Sequence, residues 1–288
     1  MQESLRFRET MQEGLYKGGS GLGDVNVRHF VIVEEGFENA GFEITTKSWL
    51  QSYDQIIDQT KQEYFMEIRK QADSLGANPL TLAMGRMAPE LNYDLPLDGE
   101  GDTEVYVLAR ISGEGSDRLA APGDIQLTET EIYDILLLSR QYPHFILVLN
   151  TGGMVDPKPI ESVGTILQIG QLVTPVGDAL ADVFCGKAYP LGKLTMTWAP
   201  IEDYLSTEGL GDPNDTKYTE GIYVGYRYFD TVRYASTFPF GFGLGYTDFE
   251  IVLKDMVADA KTITVTEEIK NIGKAVGKEI VQVYYSAP

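Results

Sequence analysis

The feature that most constrains this chain is an alternation of short apolar runs with helical stripes across residues 104–198. EVYVLAR at 104–110, FILVL at 145–149 and TILQI at 165–169 are rich in β-branched residues and short enough to be strands. Between the first two, Thr128 is followed three residues on by Glu131, a capping box that opens a helix. Its helical stripe is Ile132, Ile135, Leu136 and Ser139. Residues 176–184 read as another helix, closed by Gly186, and 194–198 as a further strand. Strand, helix, strand at this spacing predicts an α/β fold: a three-layer sandwich with a largely parallel sheet covered by helices. Ligands of such sheets bind beyond the carboxyl ends of the strands.

The flanking regions read differently. Residues 1–17 are charged and mixed and predict no element. GGSGLGDVN at 18–26 marks a tight turn. Phe30, Val33, Phe37 and Ala40 follow at helical steps, with Gly41 placed to stop the helix. The run HFVIV also suits a strand, but length and Gly41 favour helix. Residues 48–72 predict a polar helix anchored by Trp49, Tyr53, Ile56 and Ile57, and 73–99, with three prolines, a long surface connection. Beyond residue 200 the composition shifts, and 218–246 is crowded with Tyr, Phe and Gly. Residues 249–256, 262–270 and 279–285 read as strands, the last two joined across 271–273. Three strands cannot bury both faces of a sandwich. The expected division is therefore an atypical segment at 1–17, an α/β domain at 18–210, an aromatic linker at 211–248 and a truncated β-sandwich at 249–288.

Charge and cysteine usage narrow the chemistry. With 43 acidic against 23 basic residues, the formal charge of -20 repels nucleic-acid phosphates and anionic lipid headgroups, so a neutral substrate fits better. Cys185 is the only cysteine and His29 and His144 the only histidines, so an intrachain disulfide or a Cys- or His-rich metal cluster is excluded. The chain contains no apolar run of membrane-spanning length and its start lacks a signal-peptide core, which makes the cytoplasm the expected compartment.

The best candidate for chemistry is the strand-end segment from Arg110 to Arg118, RISGEGSDR. Glu114 stands between two glycines, which let the backbone turn and leave the carboxylate uncrowded. Such a glutamate protonates a leaving group if its pKa is lifted, while Arg110, Asp117 and Arg118 hold the loop by charge-assisted bonds. The plainer reading is a solvated acidic loop with surface ion pairs. Glycosidic cleavage needs two carboxyl groups, and no second one stands in a matching setting; Asp24 more simply shapes its turn. The GGSGLG run lacks the Lys-Ser/Thr ending of a phosphate loop. His29 is expected to bond locally, Cys185 to be a small buried residue, and Tyr223, Tyr226, Tyr228 and Phe229 to pack rather than to stack on sugar.

Seven segments in order carry a resemblance: KGGSGLGDVNVRHF at 17–30, RISGEGSDR at 110–118, VLNTGG at 148–153, GDALADVFCGKAYPLGKLTMTW at 177–198, YTEGIYVGYRYFDT at 218–231, FPFGFGLGYTDFE at 238–250 and GKEIVQVYYSAP at 277–288. Together they resemble the C-terminal part of glycoside hydrolase family 3, of the β-glucosidase type. The resemblance implies a retaining β-glycosidase with no metal or organic cofactor. It also implies a nucleophilic aspartate on a separate (β/α)8 barrel, absent from this sequence and supplied in cis or in trans. The acid/base glutamate then matches Glu114, and the region from about 249 matches a fibronectin-type-III-like domain. The substrate implied is a β-glucoside or oligosaccharide. Two departures stand out: MQESLRFRETMQEGLY replaces the strand usual before the GGSG run, and Leu22 replaces a small polar residue. The alternative is a non-catalytic carbohydrate-binding or interaction module that keeps the fold. On either reading the isolated chain is expected to aggregate or pair with itself, as a homo-oligomer, through its incomplete β part.

Overall fold

In the computed structural model the described residues are 4–9 (backbone), 29, 31–83, 88–110, 117–170, 175–204 and 215–285. The α/β part contains strands β1 (Ser4–Glu9), β2 (Glu43–Ile44), β3 (Thr103–Arg110), β4 (His144–Thr151) and β5 (Ile166–Gln168). They form one parallel sheet in the order β2-β1-β3-β4-β5. Helices α1 (Val33–Asn39), α2 (Lys47–Leu75), α3 (Pro79–Ala83), α4 (Glu129–Gln141) and α5 (Val176–Phe184) connect and cover it.

Strands β3 and β4 run in register from Thr103 opposite His144 to Arg110 opposite Thr151. Alternate side chains go to opposite faces. Val105, Val107 and Val148 meet Val33, Phe37, Trp49, Tyr53 and Leu180 from α1, α2 and α5. Tyr106, Leu108, Leu147 and Leu149 meet Ile135 and Leu138 of α4, with Val155, Ile160 and Trp198. The sandwich is thus three-layered, as its sequence alternation predicts. Burial on both faces explains why VYVLA at 105–109 and FILVL at 145–149 read as unbroken apolar runs. Each Val or Leu buried there contributes about 1.5–3 kcal/mol.

Several expectations need correction. Residues 1–17 do contribute an element: β1 is an inner strand paired to both β2 and β3. The stripe of α4 is rotated, its buried face being Glu131, Asp134, Ile135 and Leu138. This follows from polar partners in the core, which draw Glu131 and Asp134 inward. The connection at 73–99 includes the short helix α3. Residues 194–198 do not form a sheet strand. They pair with the aromatic region through a bridge, Trp198 N–H to the Phe238 carbonyl at 2.8 Å and the reverse at 3.0 Å. That region also holds a helix, α6 (Tyr226–Val232). Of the rings expected to pack, Phe229 lies edge-on to Tyr204 at 5.1 Å, Tyr228 lies edge-on to Phe229, and Tyr226 contacts Phe240 and Tyr284, whereas Tyr223 is exposed. Cys185, expected to be buried, is exposed at the end of α5.

Strands β6 (Phe249–Ala258) and β7 (Ile263–Asn271) form an open antiparallel pair, consistent with a truncated fibronectin-type-III-like sandwich. The third expected strand, 279–285, does not form. Its residues turn toward the aromatic region instead. Lys193 holds Glu279 at 3.1 Å, and Tyr284 packs edge-on against Tyr226.

Candidate functional site

Arg110 is the last residue of β3, at the carboxyl edge of the sheet, and is only 2% exposed. A guanidinium so placed requires partners. Its Nη2 donates to Glu131 Oε2 at 2.6 Å, its Nε to the Asp124 carbonyl at 2.9 Å and its Nη1 to the Ala109 carbonyl at 2.8 Å. Burial opposes the charge, but the adjoining Glu131 carboxylate outweighs it and holds Arg110 above its usual value. Glu131 reaches this position because it is the third residue of α4. Its Oε2 also accepts the Thr128 N–H at 2.8 Å, while the Thr128 hydroxyl accepts the Glu131 N–H at 3.2 Å. The capping box read from sequence is therefore also the anchor of the strand end.

A second carboxyl group lies in the same buried region. Glu90 is 1% exposed, and its Oε2 accepts from the Tyr53 hydroxyl at 2.7 Å. Its other oxygen has no hydrogen-bond partner. Burial, and then the charge of Glu131, push its pKa up to about 8, against the opposing pull of Tyr53 and Arg110. Burial thus favours the neutral form of Glu90 beside the Arg110–Glu131 ion pair.

On the far side of the loop, Arg118 Nε donates to Asp124 Oδ1 at 2.7 Å and its Nη1 to the Met154 carbonyl at 2.6 Å. The Leu119 N–H donates to Asp124 Oδ2 at 2.6 Å. Asp117 is exposed. Of the residues singled out by sequence, Arg110 and Arg118 are brought together through Asp124, and Asp117 does not join them. Glu114 lies outside the described residues, as do the 18–26 run and Asp24. Sequence reading missed Asp124 and Glu90, and took Tyr53 only as a packing anchor of its helix. The Pro122-Gly123-Asp124 turn is the one local signal that marks Asp124.

Elsewhere, Tyr93 shares its hydroxyl with Tyr106 at 3.0 Å and donates to Asp134 at 3.2 Å. Burial pushes both phenols well above their usual range. An open groove of about 540 Å³ runs beside Tyr93, Asp94, Tyr133 and Asp134, sharing no residue with the Arg110–Asp124–Arg118 assembly. His29 bonds locally to Glu35 at 2.7 Å. Among the described residues, His, Cys, Asp and Glu form no cluster of three or more suited to a metal ion. No helix among them is long and apolar enough to cross a membrane.

Comparison with known proteins places this geometry in context. The family model of the glycosyl hydrolase family 3 C-terminal domain matches residues 9–246. The chain is 33% identical to β-glucosidase A of Butyrivibrio fibrisolvens, over 94% of this chain and 37% of that protein. It is 31% identical to a β-glucosidase of Ruminococcus albus, over 96% of this chain and 29% of the relative. Among solved structures, β-glucosidase 3B of Thermotoga neapolitana, in complex with glucose, superposes with a TM-score of 0.71 at 29% identity, covering 94% of this chain and 38% of that one. A β-glucosidase of Paenibacillus barengoltzii gives a TM-score of 0.71 at 27% identity, with 94% and 30% covered. The chain spans about a third of the length of the curated relatives it matches.

Proposed function

This chain belongs to the glycosyl hydrolase family 3 C-terminal domain family, and from that premise we propose that it supplies the general acid/base, Glu114, of a retaining β-glycosidase acting on β-glucosides. The nucleophile comes from a (β/α)8 barrel, in cis or in trans. The observation that best supports this reading is the setting of Arg110. It ends an inner parallel strand at the sheet's carboxyl edge, where ligands of such sheets bind, and the glycine-flanked Glu114 follows four residues later. The ion pair to Glu131 and the Asp124 contacts hold both ends of that segment on rigid elements.

The chemistry follows from two carboxyl groups on either side of the bond. In the first step the Glu114 carboxyl proton passes to the glycosidic oxygen as the C1–O bond breaks and the barrel aspartate bonds to C1. In the second, the Glu114 carboxylate takes a proton from water, whose oxygen bonds to C1 as the glycosyl–aspartate bond breaks. Closure by a barrel desolvates Glu114 and raises its pKa from about 4.3 toward working pH.

The test is Glu114→Gln in an enzyme that joins this chain to a family barrel. Acid assistance matters most for poor leaving groups. Glycosylation on cellobiose is expected to fall on the order of 10²-fold or more, and on a dinitrophenyl glucoside far less. Azide, which needs no proton removed, restores turnover of the activated substrate and gives a β-glucosyl azide. Equal losses on both substrates without azide rescue would make Glu114 a structural or substrate-holding residue, with Asp117 next to be tested.

A further inference from the structure

Both ends of the candidate loop converge on Asp124. Its peptide carbonyl accepts from Arg110 Nε at 2.9 Å, before the loop. Its carboxylate accepts from Arg118 Nε at 2.7 Å and from the Leu119 N–H at 2.6 Å, after the loop. The turn that presents Asp124 is itself fixed. The N–H groups of Asp124 and Gln126 donate to the Ala121 carbonyl at 3.2 and 3.1 Å, and Ile125 N–H donates to the Leu119 carbonyl at 3.2 Å. Gly123 adopts φ +85°, and a Cβ there would overlap the Glu90 backbone. The Glu90 N–H donates to the Gly123 carbonyl at 3.0 Å, and the Asp156 N–H to the Ile125 carbonyl at 2.8 Å.

We propose that Asp124 is a positioning residue for the acid/base loop, tying Arg110 at its entry to Arg118 and Leu119 at its exit and so setting the span across which Glu114 is presented. An aspartate suits this role better than its amide, because both donors need an oxygen acceptor and one is a guanidinium. Asn presents only one oxygen and sets its NH₂ against a second donor. A displacement of about 1 Å at a reacting group is enough to cost on the order of 10²-fold in rate. The role in catalysis rests on the reading of Glu114, whereas the tie itself does not.

Two arms separate these. In the chain as it stands, Asp124→Asn is compared with the wild type by amide exchange and by the ¹⁵N Nε–H signals of Arg110 and Arg118. The Leu119 amide is expected to lose about 10-fold or more of its protection and the Arg118 Nε–H signal to shift, while Leu108 and Leu149 in the sheet keep theirs. Unchanged Leu119 and Arg118 signals, or equal loss throughout the sheet, would overturn the tie. In the barrel-joined enzyme, Asp124→Asn is expected to lose about 10-fold or more on cellobiose and much less on a dinitrophenyl glucoside, with Asp124→Glu recovering part of the difference. If Glu114→Gln shows leaving-group selectivity and Asp124→Asn does not, Asp124 does not position the acid. If Glu114→Gln itself shows none, the reading of Glu114 fails, the catalytic role of Asp124 falls with it, and the tie is decided by the first arm.

Discussion

Glu90 makes the stability of this chain depend on pH in the direction opposite to most carboxylates. Its folded pKa is about 8, above an unfolded value of 4.5. The folded state therefore holds a proton that the unfolded state has released. Glu90's contribution is fully present below about pH 4.5 and is lost as pH rises through about 8. Within that window the slope is at most ~1.4 kcal/mol per pH unit. Glu90→Gln keeps the shape and cannot ionise. It is expected to unfold in urea with little change at pH 5 and with a higher midpoint than the wild type at pH 9. Parallel wild-type and variant midpoints from pH 5 to 9 would show that Glu90 does not titrate as described. Arg110 gives a sharper effect. Removing it leaves Glu131 buried without its counter-charge, so Arg110→Ala is expected to cost about 3–5 kcal/mol in the same assay.

At the scale of elements, the contact between α1 and α5 has no side chain at its centre. A Cβ on Gly36 would overlap the Gly177 backbone, and one on Gly177 would overlap the Ile32 carbonyl. Gly177 N–H also donates to the Val31 carbonyl at 3.0 Å. Replacing a helical glycine by alanine ordinarily favours the helix by about 1 kcal/mol. Here the clash reverses the sign. Gly36→Ala and Gly177→Ala are each expected to destabilise by about 1–3 kcal/mol, read as a lowered Tm, since backbone cannot move aside as a side chain does. A raised Tm in either variant would show that the two helices are less closely apposed. Neither glycine is conspicuous in sequence, because hydropathy does not register close approach. The same blindness explains the α4 stripe: Glu131 and Asp134 count as outward until Arg110 and Tyr93 are known to face them. The strands β3 and β4, the capping box and α5 were legible because burial on both faces and local capping leave unbroken patterns. Strand β1 was not, since SLRFRE mixes charge into what a parallel sheet usually makes apolar. The candidate site was half legible. Arg110 and Arg118 follow from the loop sequence, whereas Asp124 and Glu90 enter only through tertiary approach.

For the whole molecule, the α/β sandwich buries its apolar faces and the β6–β7 pair does not. Leu253, Met256, Val257, Ile263 and Ile269 on these two strands are all more than half exposed. A two-stranded ribbon is marginal in water, and exposed apolar edges favour pairing with another chain. Residues 263–271 are expected to exchange their amides faster than 103–110, and sedimentation to show concentration-dependent self-association despite the charge of -20. Strong protection of 263–271 in a verified monomer would contradict this. By itself the chain is expected to hydrolyse aryl β-glucosides at no measurable rate, because one carboxylic acid cannot complete a two-step retaining route. Turnover abolished by Glu114→Gln in rigorously purified chain would reveal a second carboxylate within it.

One oxygen, Glu131 Oε2, accepts from both the Thr128 N–H that begins α4 and the Arg110 guanidinium that ends β3. Losing the Arg110 contact leaves the buried Glu131 carboxylate without its counter-charge, and losing the Thr128 contact leaves a buried N–H unpaired. Strand end and helix start therefore belong to a single cooperative opening unit. Fraying, which elsewhere begins at helix ends, is expected to be suppressed at this one, so that the first turn of α4 exchanges only when the centre of the sheet unfolds.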